Sequence, residues 1–200
     1  MRVTLELGVE RTLRSYFERW KARRREGDVL IVSNPDWCDY GERATPMPPA
    51  VERLFSKRKL GDFTGFRQHL SPHTLARNPS LPLAHCESKA FQLLREKTGL
   101  PVYGTHAVAE DLPFSDGSLH KIVARNLFGD PSFKAHEEAV AEFNRALAPG
   151  GRVELYEDVT PPAGGEWRAI EGFFRKHGFK LRRRSPRIGM AYLAAVKPAR

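Results

Sequence analysis

Residues 179–196 read FKLRRRSPRIGMAYLAAV. Two extended runs, 179–184 and 188–196, flank Ser185-Pro186-Arg187, a link too short to contain a crossover helix. Runs joined this closely pair antiparallel. Upstream the pattern changes. Trp167, Ile170, Phe173 and Phe174 recur at helical spacing, and Gly178 ends that helix. Before it, 152–157 (RVELYE) reads as a strand leaving the turn Pro149-Gly150-Gly151. A helix opened by Asp130-Pro131 turns Val140, Phe143 and Leu147 inward. Further strands are predicted at 121–124, 101–107 and 81–86, with a helix over 89–98 that Ser88 caps and Gly99 closes. Asp28–Ser33 (DVLIVS) is a continuous apolar run between turn formers, the pattern of a strand covered on both faces. Alternation that ends in a strand pair predicts an α/β fold. It is a doubly wound, mostly parallel seven-stranded sheet with an antiparallel C-terminal strand pair and helices on both faces.

Two regions stand outside this rhythm. In Arg2–Leu7, Val3, Leu5 and Leu7 alternate with polar residues, which suits a short strand ended by Gly8. Leu13, Tyr16, Phe17 and Trp20 then define an amphipathic helix stopped by Gly27. Together these read as an N-terminal helical arm, residues 1–27, preceding a main α/β domain, 28–200. Residues 34–80 contain Pro35, Pro46, Pro48, Pro49, Pro72 and Pro79, with one helix expected over 49–59. The rest of that stretch reads as an irregular insertion or a cap over one end of the sheet.

Composition narrows the class of molecule. With 200 residues, 40% hydrophobic and 28% charged, the chain can bury a core without disulfides or metal. No apolar stretch approaches the ~20 residues that span a bilayer, and 1–8 lacks the apolar core of a signal peptide. Cys38 and Cys86 have no CxxC spacing and suit a reducing cytoplasm. The histidines are scattered, and Ser71-Pro72 separates His69 from His73, so no metal site is expected. Net charge is +9, unevenly spread. Arg175, Lys176, Lys180, Arg182, Arg183, Arg184 and Arg187 form a run without an acid, an edge that suits an anionic partner such as nucleic acid.

Three motifs in order carry a family resemblance. Residues 109–118 (AEDLPFSDGS) resemble the DAEDLPFPDGSFD stretch of class I S-adenosylmethionine-dependent methyltransferases. Residues 146–157 (ALAPGGRVELYE) resemble their LKPGG turn into the fifth strand. Residues 171–197 are similar to their closing helix, its Gly-Phe exit and the strand pair ending in a Lys-Pro tail. The resemblance spans 81–198. It implies S-adenosylmethionine as cofactor, in the crevice beyond the carboxyl ends of the strands. The first loop of that crevice takes the methionine moiety, the second the ribose and the third the adenine.

With Asp28–Ser33 as the family's first strand, the loops after Ser33, Cys86, Ala107 and Ala124 open to that crevice. The implied cofactor-binding residues are then Ser33, Asn34 and Asp36, then Glu87, then Val108, Ala109 and Glu110. The family's D-x-G-x-G-x-G loop would fall on Ser33-Asn34-Pro35-Asp36-Trp37, which has no glycine before Gly41. Val108 stands where the family has an adenine-facing Asp, and His120 where an Asp opens strand four. Glu87 lies one place beyond the ribose acid, whose position Cys86 fills. Weak cofactor binding is the expectation. Ser33–Trp37 also resembles the NPPY signature of amino-methyltransferases, or reads as a plain Asx turn.

Arg125 and Asn126, after the fourth strand, are the candidate catalytic residues. Glu157-Asp158, after the fifth, are placed to line the same crevice or to face solvent. Three functions stay open: methyl transfer to an unknown acceptor, a non-catalytic methyltransferase-like binding or regulatory protein, and a nucleic-acid-binding protein.

Overall fold

The computed structural model describes residues 1–7, 20–33, 45–46, 49–54, 86–87, 95–105, 107, 109–129, 133–157, 164–187 and 190–199. Of these, 33, 45–46, 52, 86–87, 164–166, 183–187 and 190 are described in backbone alone. Nine strands are assigned among them: β1 (Arg2–Leu7), β2 (Asp28–Ser33), β3 (Thr45–Pro46), β4 (Cys86–Glu87), β5 (Val102–Thr105), β6 (Leu119–Arg125), β7 (Leu147–Glu157), β8 (Lys180–Arg187) and β9 (Met190–Val196). Helices are α1 (Pro49–Glu52), α2 (His136–Ala146) and α3 (Gly164–Lys176), and 20–23 and 95–98 are also helical.

Seven strands form one sheet in the order β5-β2-β1-β6-β7-β9-β8. The first five are parallel, and β9 runs antiparallel between β7 and β8. The chain starts in the middle, builds outward to β5, then returns to the other side of β1. The expected α/β fold with its antiparallel closing pair is therefore present.

One face of the sheet is closed by α2 and α3. Ala139, Val140, Phe143 and Ala146 of α2 and Trp167, Ile170 and Phe174 of α3 meet Leu5, Ile31, Ile122, Val153 and Leu193 in one apolar cluster. Periodicity explains both helices: each turns a stripe of apolar residues inward at 3.6-residue spacing. On the other face, Leu30, Val32, Leu100, Val102 and Val123 form a smaller cluster, with Trp20 and Tyr156 against it.

Three expectations change. Arg2–Leu7 does form a strand, but it lies in the sheet's interior between β2 and β6, not in an arm over 1–27. Main-chain pairing on both sides outweighs the polar residues that make the segment look peripheral. Second, of the expected strand at 81–86, Cys86 is found with Glu87 in a separate two-stranded sheet, antiparallel to Thr45–Pro46, and 81–85 lie outside the described residues. Glu87 therefore ends a strand of that small sheet and not one of the seven. Third, the extended run expected over 179–184 is not regular. A bulge between Leu181 and Arg183 sets Arg183 opposite Ala194 and Arg184 opposite Leu193. Of the expected 49–59 helix, Pro49–Glu52 is seen.

The resembling motifs explain themselves as scaffold. Arg145, on α2, donates to the carbonyl oxygens of Leu112 at 2.9 Å and Phe114 at 2.7 Å, and to Asp116 at 2.7 Å. Glu142 accepts from the Leu112 amide at 2.9 Å. The two side chains pin the LPF segment, with Leu112 and Phe114 fully buried. Gly150 has φ 77°, and a Cβ on Gly151 would stand 2.8 Å from the Ala148 oxygen, so the Pro-Gly-Gly turn needs both glycines. Lys197 Nζ donates to the oxygens of Asn144 and Leu147 at 2.6 and 2.8 Å, closing the C-terminal end of α2 with a cation.

Candidate functional site

The five parallel strands end at Leu7, Ser33, Thr105, Arg125 and Glu157, all at one edge of the sheet. Strand order reverses between β1 and β6, because the chain leaves β1 toward β2 and comes back to β6. In open α/β sheets, ligands bind beyond the carboxyl ends of the strands at such a reversal. The candidate site is the crevice at the ends of β1 and β6.

An ion pair marks that place. Glu6 is completely buried, in register with Val32 and Val123. Arg125 Nε donates to Glu6 Oε1 at 2.6 Å, and its Cζ lies 4.5 Å over the Tyr156 ring. Tyr156 OH donates to Glu154 Oε2 at 3.1 Å, and Lys121 Nζ reaches the same oxygen at 2.7 Å. Burial lowers the Lys121 pKa against the pull of Glu154, and burial pushes the Tyr156 phenol well above its usual range. The polar row thus runs from β1 across β6 to β7 on one face.

The wall after β6 is also built by a carboxylate. Glu157, fully buried at the end of β7, accepts from the amides of Phe128 at 3.1 Å and Gly129 at 3.0 Å. Asn126 has φ 50°, a left-handed conformation that asparagine tolerates better than most residues, and its amide donates to the Tyr156 oxygen at 2.9 Å. Of the two candidate catalytic residues, Arg125 is tied to Glu6 and Tyr156, while Asn126 is exposed at the mouth. Glu157 braces the loop instead of facing solvent; Asp158 lies outside the described residues.

The expected cofactor residues divide. Ser33 ends β2, next to the central strand, so Ser33-Asn34-Pro35-Asp36-Trp37 is the loop after the second strand, not the first. Asn34 and Asp36 lie outside the described residues, as does Val108. Ala109 is buried and Glu110 half-buried, following β5 as the third loop should. Glu87 is displaced into the β3–β4 ladder.

Moving the first strand to β1 moves the glycine pattern with it. Glu6-Leu7-Gly8 supplies the acid and first glycine of D-x-G-x-G-x-G, while Glu10 and Thr12 fill the next two glycine positions. A carboxylate at the end of the central strand is the residue type that would suit the ammonium group at the methionine end of S-adenosylmethionine; Glu6 itself is fully buried and bridged by Arg125. Glu6 was missed because its partner is 119 positions away in the chain. The acid-x-glycine spacing in Glu6-Leu7-Gly8 was the available signal. No group of three or more His, Cys, Asp or Glu placed to hold a metal occurs among the described residues, and no described helix is long and apolar enough to cross a membrane.

No family model matches the chain. Over 81 residues, 40% of its length, it is 36% identical to a demethylmenaquinone methyltransferase of Thermus thermophilus, and the match spans 36% of that relative. A SAM-dependent methyltransferase from Aquifex aeolicus matches 98% of the chain and 81% of its own with TM-score 0.53 at 10% identity. The [4+2]-cyclase SpnF matches 100% of the chain and 75% of its own with TM-score 0.56 at 14% identity. At these identities the structural likeness is one of fold. In its sheet order the chain has the fold of these structures, and over two-fifths of its length it is similar in sequence to a methyltransferase.

Proposed function

We propose that the chain transfers a methyl group from S-adenosylmethionine to an acceptor in the crevice beyond β1 and β6. The observation that carries this reading is Glu6-Leu7-Gly8 at the end of the central strand, where the sheet order reverses. When bound, the cofactor would supply an electrophilic methyl on a sulfonium; the protein's task is to align an acceptor with it. Glu6 and the segment from Gly8 would hold the methionine end, Ser33 and Asn34 the ribose side, and Val108, Ala109 and Glu110 the adenine side. Asn126, exposed after β6, would face the acceptor. Glu157 acts as a brace, since both its oxygens accept from backbone amides.

Calorimetric titration with S-adenosylmethionine and S-adenosylhomocysteine tests the reading. Binding weaker than micromolar is expected, because side chains fill two glycine positions and the Val108 side chain offers an adenine amine no acceptor. Loss of one such contact costs about 1.5–3 kcal/mol, roughly tenfold to 150-fold in affinity. Absence of heat with both ligands at millimolar concentration overturns the proposal. Demethylmenaquinone is a first acceptor to assay, on the local sequence likeness alone.

A second reading, a binding or regulatory protein without turnover, draws support from Glu10 and Thr12 at the glycine positions. It is distinguished by binding of S-adenosylhomocysteine with no methyl transfer. An anionic partner such as nucleic acid at the β8 edge, where Lys180 and Arg182 are exposed, is read from the salt slope of any affinity. A cytoplasmic location is supported by the two cysteines without CxxC spacing.

A further inference from the structure

Strand β8 is the outermost of the seven and pairs with β9. Between 175 and 187 stand Arg175, Lys176, Lys180, Arg182, Arg183, Arg184 and Arg187, with no acid among them. The two cations of α3 find carboxylates on the helices: Arg175 reaches Glu171 at 3.1 Å and Lys176 reaches Glu137 at 2.5 Å. Those at the start of the strand differ. Lys180 and Arg182 are exposed, and among the described residues no carboxylate meets either. Lys180 lies opposite Val196 and Arg187 opposite Met190, so the line runs the height of the sheet, and the bulge leaves Arg182 without a cross-strand residue of its own. At ~3.3 Å per residue the eight residues of β8 extend roughly 25 Å.

Blunting an edge strand against pairing takes a bulge, a proline or isolated charges, and β8 already has its bulge and Pro186. Arginines crowded along one strand repel one another, a cost that an anionic partner relieves. Arginine also outnumbers lysine in the run, and its planar fork matches phosphate oxygens. Among the described residues no large apolar side chain is exposed on this edge, so it lacks the apolar face that a membrane-surface element inserts. We propose that the β8 edge docks the phosphate backbone of a nucleic acid. The proposal narrows the anionic partner named above to one chemistry, and it holds whether or not the crevice takes S-adenosylmethionine.

Fluorescence anisotropy with labelled oligoadenylate and with a short duplex DNA, from about 50 to 200 mM salt, is the test. It compares the wild-type chain with Lys180→Gln plus Arg182→Gln and with Arg23→Gln plus Arg24→Gln, each checked for folding by circular dichroism. The second pair removes the same charge from exposed residues before β2, which stands at the far side of β1 from β8. Wild-type binding to either nucleic acid, falling steeply with salt, is expected, and the tighter of the two identifies the source. The β8 pair should weaken it at least about tenfold at the lowest salt and flatten the log–log slope by about 1.4–2. The Arg23 and Arg24 pair should stay within about threefold of wild type. Equal losses in the two variants overturn the proposal, since net charge alone would then be the cause. Absence of binding to both nucleic acids at the lowest salt overturns it too. Phosphatidylserine vesicles are the third probe: if they bind, the nucleic acids do not, and the β8 pair abolishes that binding, the edge belongs to a lipid surface and the narrower proposal fails while an anionic partner stands. If the β8 pair does not fold, Arg182→Gln alone carries the test with about half the change in slope.

Discussion

On one face of the sheet, Leu5, Ile31, Ile122, Val153 and Leu193 meet α2 and α3 in an apolar layer. On the other, Glu6, Lys121, Arg125 and Glu154 sit beside Leu30, Val32 and Val123; Arg125 bridges Glu6, and Lys121 and Arg152 both reach Glu154. The first face is held by area removed from water and by close packing, and it tolerates little change in volume. The second holds charges that were costly to bury and that contribute little net stability when paired. The contrast teaches where to look for chemistry: stability resides mainly on the helix-covered face, and the polar row ends at the switch point.

The comparison is broken most directly at Phe143, fully buried on α2. Phe143→Ala should lose about 3–5 kcal/mol, measured as a fall in the urea midpoint. A loss below ~1 kcal/mol would mean that the apolar face is not the stabilising one. On the polar face, Glu6→Leu alone breaks the ion pair with Arg125 and should cost about 3 kcal/mol, whereas Glu6→Leu with Arg125→Met should be neutral or stabilising in the same denaturation assay. If the double variant is as unstable as the single one, the pair is structural after all.

Gly151→Ala sets a Cβ 2.8 Å from the Ala148 oxygen and 3.3 Å from that of His120, both backbone, so a loss of about 1–3 kcal/mol is expected by thermal melting. Lys197→Met removes the cation from the end of α2 and should cost about 1–2 kcal/mol, with faster amide exchange in the last turn of that helix. The smallest effect belongs to His120. Its Nδ1 accepts from the Val3 amide at 3.4 Å, and burial, the N-terminal charge and Arg2 lower its pKa. The neutral ring is the favoured folded form, so its contribution is complete above the unfolded value near 6.5 and is lost as pH falls through the folded value. Melting temperature between pH 5 and 8 should show a slightly steeper acid-side fall in the wild type than in His120→Gln.

What could be read from sequence follows the distance over which each decision is made. Gly117, Gly150 and Gly178 all have positive φ, and each marks a turn that announces itself within a few residues. Helix α3 and the closing strand pair are likewise written in local periodicity. β1 is a different case. A strand covered on both faces should be continuously apolar, and Thr4 and Glu6 interrupt it, so the segment reads as peripheral. Glu6 is tolerated there because Arg125 neutralises it, and no pattern within Arg2–Leu7 can declare a partner on β6. With β1 read as peripheral, Asp28–Ser33 takes the place of the first strand and the glycine pattern falls after it. One buried ion pair thus shifts the expected position of both a strand and a binding loop.

The insertion of β9 between β7 and β8 has a consequence during synthesis. Among the described residues, β8 leaves α3 before its one sheet neighbour, β9, exists, and β7 keeps the edge that β9 takes open until β9 emerges. At ~5–20 residues per second, the seventeen residues from Lys180 to Val196 take roughly one to three seconds to appear. A hairpin closes in ~1–10 μs, so pairing itself causes no delay. Over that interval the edge of β7 that takes β9 has no partner strand. Lys180, Arg182, Arg183, Arg184 and Arg187 emerge during that interval, and their mutual repulsion discourages a second nascent copy from docking edge to edge.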